Sequence, residues 1–217
     1  MRDASGLGDS VVKSPRRNGE RRTNEERSAE TRSALIEAVI ESLCDVGYGK
    51  TTVHEICRRA GITTGAMQHH FRAKEDLFIA ALDRLRAEIR DRLEAYTSIP
   101  APLEEKCRAI VLELWQTFYG PKRYLAVWEI GMGSRSEPGL KRKVLQHRKT
   151  TLKICAEIWK RTFSIKDDDD PEKIASLHFT LSFLRGSVLH NTLDPGDDIF
   201  AVQLHMLTRL LATIMSK

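Results

Sequence analysis

The 217-residue sequence contains no apolar run approaching the roughly 20 residues that a membrane span requires. Its first residues also lack the apolar core of a secretory leader, so the expectation is a cytoplasmic protein with no membrane partner. Cysteine is sparse: Cys44, Cys57, Cys107 and Cys155 are scattered, and no Cys-x-x-Cys pair exists to support a disulfide or zinc framework. They read as small buried hydrophobes, with a redox-sensing thiol left as the alternative. Histidine has no metal spacing either. His54-Glu55 is not followed by a histidine at position 58, His69 and His70 diverge on a helix, and His147, His178, His190 and His205 are isolated. The acidic run Asp167 to Asp170 reads as a solvated loop, because adjacent carboxylates alone lack a ligand geometry. No cofactor, metal or catalytic constellation is implied. Strand-like alternation and internal repeats are missing as well, which leaves an all-α chain.

Charge is what the sequence has in excess. The formal net charge is +5, with a pI near 9.1, which suits a polyanionic partner but equally suits a merely soluble surface. Hydrophobic residues make up 41% of the chain, enough for a substantial core. Residues 1–27 hold Arg2, Lys13, Arg16, Arg17, Arg21, Arg22 and Arg27 among Gly, Ser, Asn and acids, without apolar periodicity. This segment is expected to be disordered, either as a basic arm adding phosphate contacts or as a solvated tail.

The most informative stretch runs from Thr52 to Phe71. Thr52 and Glu55 have the spacing of a capping box, and Val53, Ile56, Cys57 and Ala60 follow on one helical face. Gly61 can take the left-handed turn of a tight helix reversal. Thr63 can cap a second helix with Met67 and Phe71 inward, and Thr64, Gly65, Ala66, Gln68 and His69 outward. An outward face without bulk can approach a DNA duplex closely, and a glycine in the first turn lets backbone amides near a phosphate. These spacings alone would also fit an ordinary helical hairpin. The flanks favour helix-turn-helix: one amphipathic helix carries Ala34, Leu35, Ala38, Val39, Ser42 and Leu43 and ends at Val46-Gly47-Tyr48-Gly49. A second begins at Lys74 and carries Leu77, Ala81, Leu85, Ile89 and Leu93.

These residues resemble the bacterial tetracycline-repressor-like regulators. The resemblance lies in Gly47-Tyr-Gly-Lys-Thr-Thr-Val, Ile56-Cys-Arg-Arg-Ala-Gly-Ile-Thr and Gly65-Ala-Met-Gln-His-His-Phe-Arg-Ala-Lys-Glu-Asp-Leu77, and it covers residues 28–88 closely. It implies an N-terminal three-helix helix-turn-helix domain over 28–88, and a helical effector-binding and dimerisation domain over 89–217. It also implies contacts to double-stranded DNA from Thr52, Thr63, Thr64, Gly65, Ala66, Gln68, His69, His70 and Lys74, with Thr52 and Lys74 on phosphates. Two positions depart from the family pattern. Gln68 stands where an aromatic residue, usually Tyr, is common, and it can still reach a phosphate or pair with adenine. Ala73 stands where Ser, Asn or Gly would cap the next helix, at a cost of about 1 kcal/mol that Glu75 and Asp76 partly offset.

The rest of the chain reads as helices punctuated by Pro100-Ala-Pro102, Gly120-Pro121, Ser136-Glu-Pro-Gly, Pro171 and Asp194-Pro-Gly. The last two carry apolar residues on two sides and so need two neighbours. Ile174, Leu177, Leu181, Leu184 and Val188 on one, with Val202, Met206 and Leu210 on the other, are the expected faces of a homodimeric four-helix bundle. The family layout further implies a small-molecule cavity among Trp115, Phe118, Tyr119, Tyr124, Trp128, Met132, Trp159 and Phe163, with Glu129 as an anchor for a cationic effector or simply a surface acid. The implied mechanism is a dimer whose reading helices lie about 34–36 Å apart on a palindromic operator until an effector stabilises another spacing. A repressor and an activator would look alike here. A non-specific DNA-binding protein and an enzyme on a helical scaffold are the readings from other classes.

Overall fold

A computed structural model describes residues 23–97, 100–120, 122–166, 170–194 and 199–217, and every regular element among them is helical. In chain order these are α1 (Asn24–Lys50), α2 (Val53–Ala60), α3 (Thr64–His70), α4 (Lys74–Glu94), α5 (Leu103–Leu114), α6 (Tyr124–Gly133), α7 (Pro138–Phe163), α8 (Pro171–Leu193) and α9 (Ile199–Met215). None is long and apolar enough to cross a membrane. The basic arm expected over residues 1–27 lies outside the described residues up to position 22. Its last part is helix instead: Thr23 accepts from the Glu26 amide at 3.2 Å, and Glu26 accepts from the Thr23 amide at 2.8 Å. This reciprocal cap starts α1 at Asn24, because both side chains satisfy amides that a helix start otherwise strands.

Apolar side chains gather in two clusters. The first holds the buried faces of α1 to α3 and of α4 as far as Leu85, joined by Ala126, Ile130 and Leu140 from α6 and α7. The second holds Ile89 and Leu93 of α4 with residues of α5, α7, α8 and α9. α4 therefore runs through both, as its unbroken apolar stripe requires. Ile36 and Ile40 of α1 are buried beyond the expected stripe because α6 packs on that side, whereas Ala34 is exposed. The fifth helix does not run as plain α-helix to Tyr119. It passes at Trp115 into a π-type turn that Gly120 closes by donating to the Trp115 carbonyl at 2.7 Å.

Phe118 and Val127 pack against both clusters, and the contact of α1 with α6 and the start of α7 is built around the end of α1. Gly47 has φ 77° and ψ 174°, which unwinds the last turn and frees the Tyr48 amide. Glu129 of α6 takes that amide at 2.7 Å, and the Tyr48 hydroxyl donates to Glu137, just before α7, at 2.5 Å. The Tyr48 ring lies 5.2 Å from that of Phe78 and closes directly over Gly133. A Cβ at Gly133 would fall 2.2 Å from Tyr48 Cγ. Gly133→Ala should therefore cost about 1–3 kcal/mol in urea unfolding. Adding Tyr48→Ala should recover part of that loss, because the clash needs both side chains. Fully additive losses would contradict the contact.

Candidate nucleic-acid interface

The turn between α2 and α3 is set by local chemistry. Gly61 adopts the left-handed conformation at φ 67° and ψ 29°, and the Ile62 amide returns to the Cys57 carbonyl at 3.0 Å. Ile56 and Cys57 beneath the turn are buried, as are Met67 and Phe71 of the second helix. With those two fixed inward, Thr64, Gly65, Gln68 and His69 are exposed, while Ala66 and His70 are half-buried. The outward face of α3 is thus small, polar and uninterrupted.

Both cap threonines stand at this surface. Thr52 Oγ1 accepts from the Glu55 amide at 3.1 Å, and Thr63 Oγ1 accepts from the Ala66 amide at 3.2 Å. Each hydroxyl keeps its own proton to donate outward, so capping does not remove Thr52 or Thr63 as phosphate ligands. The capping box expected at Thr52 is only half formed, because Glu55 has stronger partners. Its carboxylate receives Arg58 at 2.8 Å and Arg59 at 2.6 Å, and Arg59 also reaches Asp45 at 2.8 Å. These guanidiniums hold the Glu55 carboxyl down at about 2, and they are engaged within the motif.

Lys74 opens α4 beside this face. Ala73 supplies no side-chain cap, so the first amides of α4 face outward without a side-chain acceptor, next to an ammonium. The Lys74 ammonium sits 5.0 Å from the ring centroids of both Tyr48 and Phe78, which fixes its position over the junction. Asp76, in the same first turn, pairs with Lys143 of α7 at 2.7 Å. Tyr48 stands out in the sequence only as part of Gly-Tyr-Gly. Nothing in that pattern signals its partners on α6 and before α7, which are some 80 residues away in sequence.

The residues expected to line an effector cavity fall into separate groups. Phe118, Tyr119 and Tyr124 form one, with ring centroids 4.5–5.1 Å apart, and Tyr119 and Tyr124 are buried. Trp115 instead packs on Phe200 at 4.2 Å, and Trp159 on Phe163 at 4.8 Å. Trp159 also donates to Ser176 and lines a groove of about 520 Å³ between α7 and α8, which none of the other candidates lines. Met132 is exposed. Glu129 accepts the Tyr48 amide through Oε2, which gives this side chain a structural role. Trp128 Nε1 is buried without an acceptor. Among the described residues no group of three or more His, Cys, Asp or Glu side chains is placed to hold a metal ion.

The expected dimer faces divide. Leu177, Leu181, Leu184 and Val188 are buried in the chain's own second cluster, so that stripe of α8 faces inward. Ile174, Val202, Met206 and Leu210 are exposed, together with Phe179, Leu189, Leu193 and Ile199. The sequence pattern revealed two apolar sides on α8 but not which one the monomer uses. Cys57, Cys107 and Cys155 are buried, Cys44 is half-buried, and all four are unpaired.

Comparison with known proteins places this geometry. A family model described as bacterial regulatory proteins of the tetR family matches residues 35–81. The HTH-type transcriptional regulator BetI of Escherichia coli K12 is 33% identical over 104 residues, which cover 45% of this chain and 53% of that protein. The chain thus spans about half the length of the curated relatives it matches. Among solved structures, the transcriptional regulator FadR from Bacillus subtilis, in complex with stearoyl-CoA, aligns at a TM-score of 0.65 and 19% identity over 83% of this chain and 97% of that one. NalD of Pseudomonas aeruginosa, the secondary repressor of the MexAB-OprM multidrug efflux pump, aligns at 0.59 and 22% identity over 85% and 96%. At these identities the structural likeness establishes the fold.

Glu55 gives the motif a pH signature. A carboxylate lowered on folding from an ordinary 4.5 to about 2 adds stability that is present above 4.5 and lost as pH falls toward 2. Urea midpoints of the native chain should therefore drop more steeply across that window than those of Glu55→Gln, and equal slopes would refute the assignment. Thr63→Ala, which removes the α3 cap, should cost about 1 kcal/mol at neutral pH.

Proposed function

The chain belongs, by residues 35–81, to the tetR family of bacterial regulatory proteins, and on that footing we propose that it is a dimeric, sequence-specific DNA-binding repressor released from its operator by a small molecule. The observation that carries this reading is the exposed face of α3. Thr64, Gly65, Gln68 and His69 present donors, acceptors and a bare backbone on a helix held rigidly by Met67 and Phe71. Such a face suits the edges of bases in a major groove. Around it, Thr52, Thr63 and the amides of α4 with Lys74 form a rim of donors suited to phosphates, which fix register without reading sequence. Ala66 admits close approach, and His70, at the last turn, supports backbone contact.

The second copy follows from the surface of α8 and α9. Ile174 and Phe179 with Val202, Met206 and Leu210 are large apolar side chains held in the open on adjacent helices. Two-fold pairing through them buries such a face and sets two α3 helices side by side, as a palindrome of half-sites one helical turn apart requires. Effector control fits the route from the second cluster to the DNA face: α4 crosses both clusters, and α6 grips Tyr48 through Glu129 and Gly133. A ligand favouring one placement of α6 shifts the spacing of the α3 pair by its differential affinity. The protein works in the cytoplasm as a binding protein, not an enzyme.

Selection of bound sequences from a random DNA pool, at physiological salt, tests this reading. An enriched palindrome is expected, and weak, salt-sensitive binding without enrichment would overturn it. Gln68→Ala should change the preferred bases, whereas Lys74→Ala should weaken every site alike and reduce the salt slope by about one for each phosphate left unneutralised. Met206→Glu should yield a folded monomer by sedimentation, with operator affinity reduced in parallel. A charge at Leu184 should unfold the chain, because that side chain is fully buried within one protomer.

A further inference from the structure

Basic residues are spread unevenly over the helices. The 26-residue α7 carries eight lysines and arginines against a single glutamate, whereas α4 interleaves its cations with acids along its whole length. Three of the eight, Lys141, Arg142 and Lys143, are consecutive and exposed near the start of α7, whose first turn holds no acidic residue. That placement sets cations against the positive end of the helix dipole. Neither Lys141 nor Arg142 forms an ion pair with an acid among the described residues, so their charge stands uncompensated there. Arg58 and Arg59 of α2, by contrast, are held by Glu55.

α7 lies beside α4 and runs the same way. Lys143 Nζ meets Asp76 at 2.7 Å, His147 Nε2 lies 3.3 Å from Asp83, and Arg161 meets Glu94 at 2.6 Å, so positions rise together along the two helices. Asp76 stands in the first turn of α4, two residues from Lys74 and beside the amides that lack a side-chain cap. The start of α7 is thereby held next to the start of α4, where the reading face has its rim of phosphate donors. The ground between the helices is open: Arg142 and Lys143 line a cleft of about 460 Å³, with Arg86, Gln146 and Thr150 further along it. Lys149 and Lys153 are equally exposed on α7, but at 1.5 Å per residue they lie roughly 10–17 Å beyond Arg142.

We propose that the start of α7 is a second DNA-contacting element: Lys141 and Arg142 take backbone phosphates of the duplex held by α3 and α4, and Lys143 keeps Asp76 from repelling them. Exposed, uncompensated cations beside a phosphate rim fit a polyanion, and the duplex on that rim is the polyanion within their reach. The proposal rests on the DNA-binding reading and deepens it. α7 also carries Cys155, Ile158 and Trp159 into the second cluster, so one helix joins that compartment to the duplex without passing through α3. A shift of α7 alone then changes DNA affinity while the reading helix stays in place.

The test is a salt titration of the full chain on a fluorescein-labelled random-sequence duplex of about 40 base pairs, between about 50 and 200 mM salt. Lys141→Gln combined with Arg142→Gln should lower the slope of log affinity against log salt by about two, close to one for each phosphate contact removed. Lys149→Gln combined with Lys153→Gln removes the same charge from the same helix, about a Debye length or more away, and should leave the slope unchanged. Lys74→Ala serves as the positive control. Helical circular dichroism and an unchanged urea midpoint show that each variant is folded. Equal losses from the two α7 pairs would mean that the helix acts only as a diffuse positive field, and would overturn the contact. So would a first pair that keeps the native slope on DNA but loses binding to polyglutamate, which would assign the surface to an acidic protein. Native DNA binding with an unaltered first pair removes this contact alone, whereas a native chain that fails to bind the duplex even at the lowest salt removes the regulator reading and the contact with it.

Discussion

The contact on which the rest of this architecture depends is a backbone amide accepted by a carboxylate. When α1 unwinds at Gly47, the Tyr48 N–H loses its helical acceptor, and an unpaired amide in a half-buried junction is costly. Glu129 supplies the acceptor from α6, and the side chain of Tyr48 then spans from Phe78 and Lys74 to Gly133 and Glu137. One residue thereby holds the helix-turn-helix against the compartment behind it. The ion pairs of Arg123 with Glu37 and Glu88 join α1, α4 and the start of α6 on the same side, so the junction is fixed by charge as well as by packing.

Within the helix-turn-helix, rigidity comes from short-range chemistry that also occupies part of its surface charge. Glu55 draws Arg58 and Arg59 into the motif, and Asp45 holds Arg59 and Lys122. Those cations stiffen α2 but are partly neutralised. Other exposed donors stand beside them: the two cap hydroxyls, Lys50, Arg72 and the polar side chains of α3.

The second cluster has the opposite character. Its helices are held by apolar packing and aromatic contact. The large apolar side chains of α9 on the opposite side are left to water in the single chain.

Much of this was legible in the sequence because it rests on contacts within one or two helical turns. Helical periodicity, Gly61, the Thr52 and Thr63 caps, and the inward pair Met67 and Phe71 fix the motif and its outward residues locally. The Thr23–Glu26 cap was equally local, although it lies inside a stretch dominated by charge and reads there as a tail. What the sequence could not decide were choices between equivalent faces and between distant partners. α8 has two apolar sides, and only its packing against α9 and the π-type turn selects Leu177, Leu181, Leu184 and Val188 for the core. Glu55 could have closed a capping box or paired along its helix, two equally local choices, and Arg58 and Arg59 take it. Glu129 reads in the sequence as an anchor or a surface acid, and a broken turn some 80 residues earlier gives it a structural partner that no local pattern announces. Local spacing determined the helices and the outward face of α3. Long-range competition for buried surface and for unpaired polar groups, which only the tertiary structure resolves, decided the junction at Tyr48 and the core side of α8.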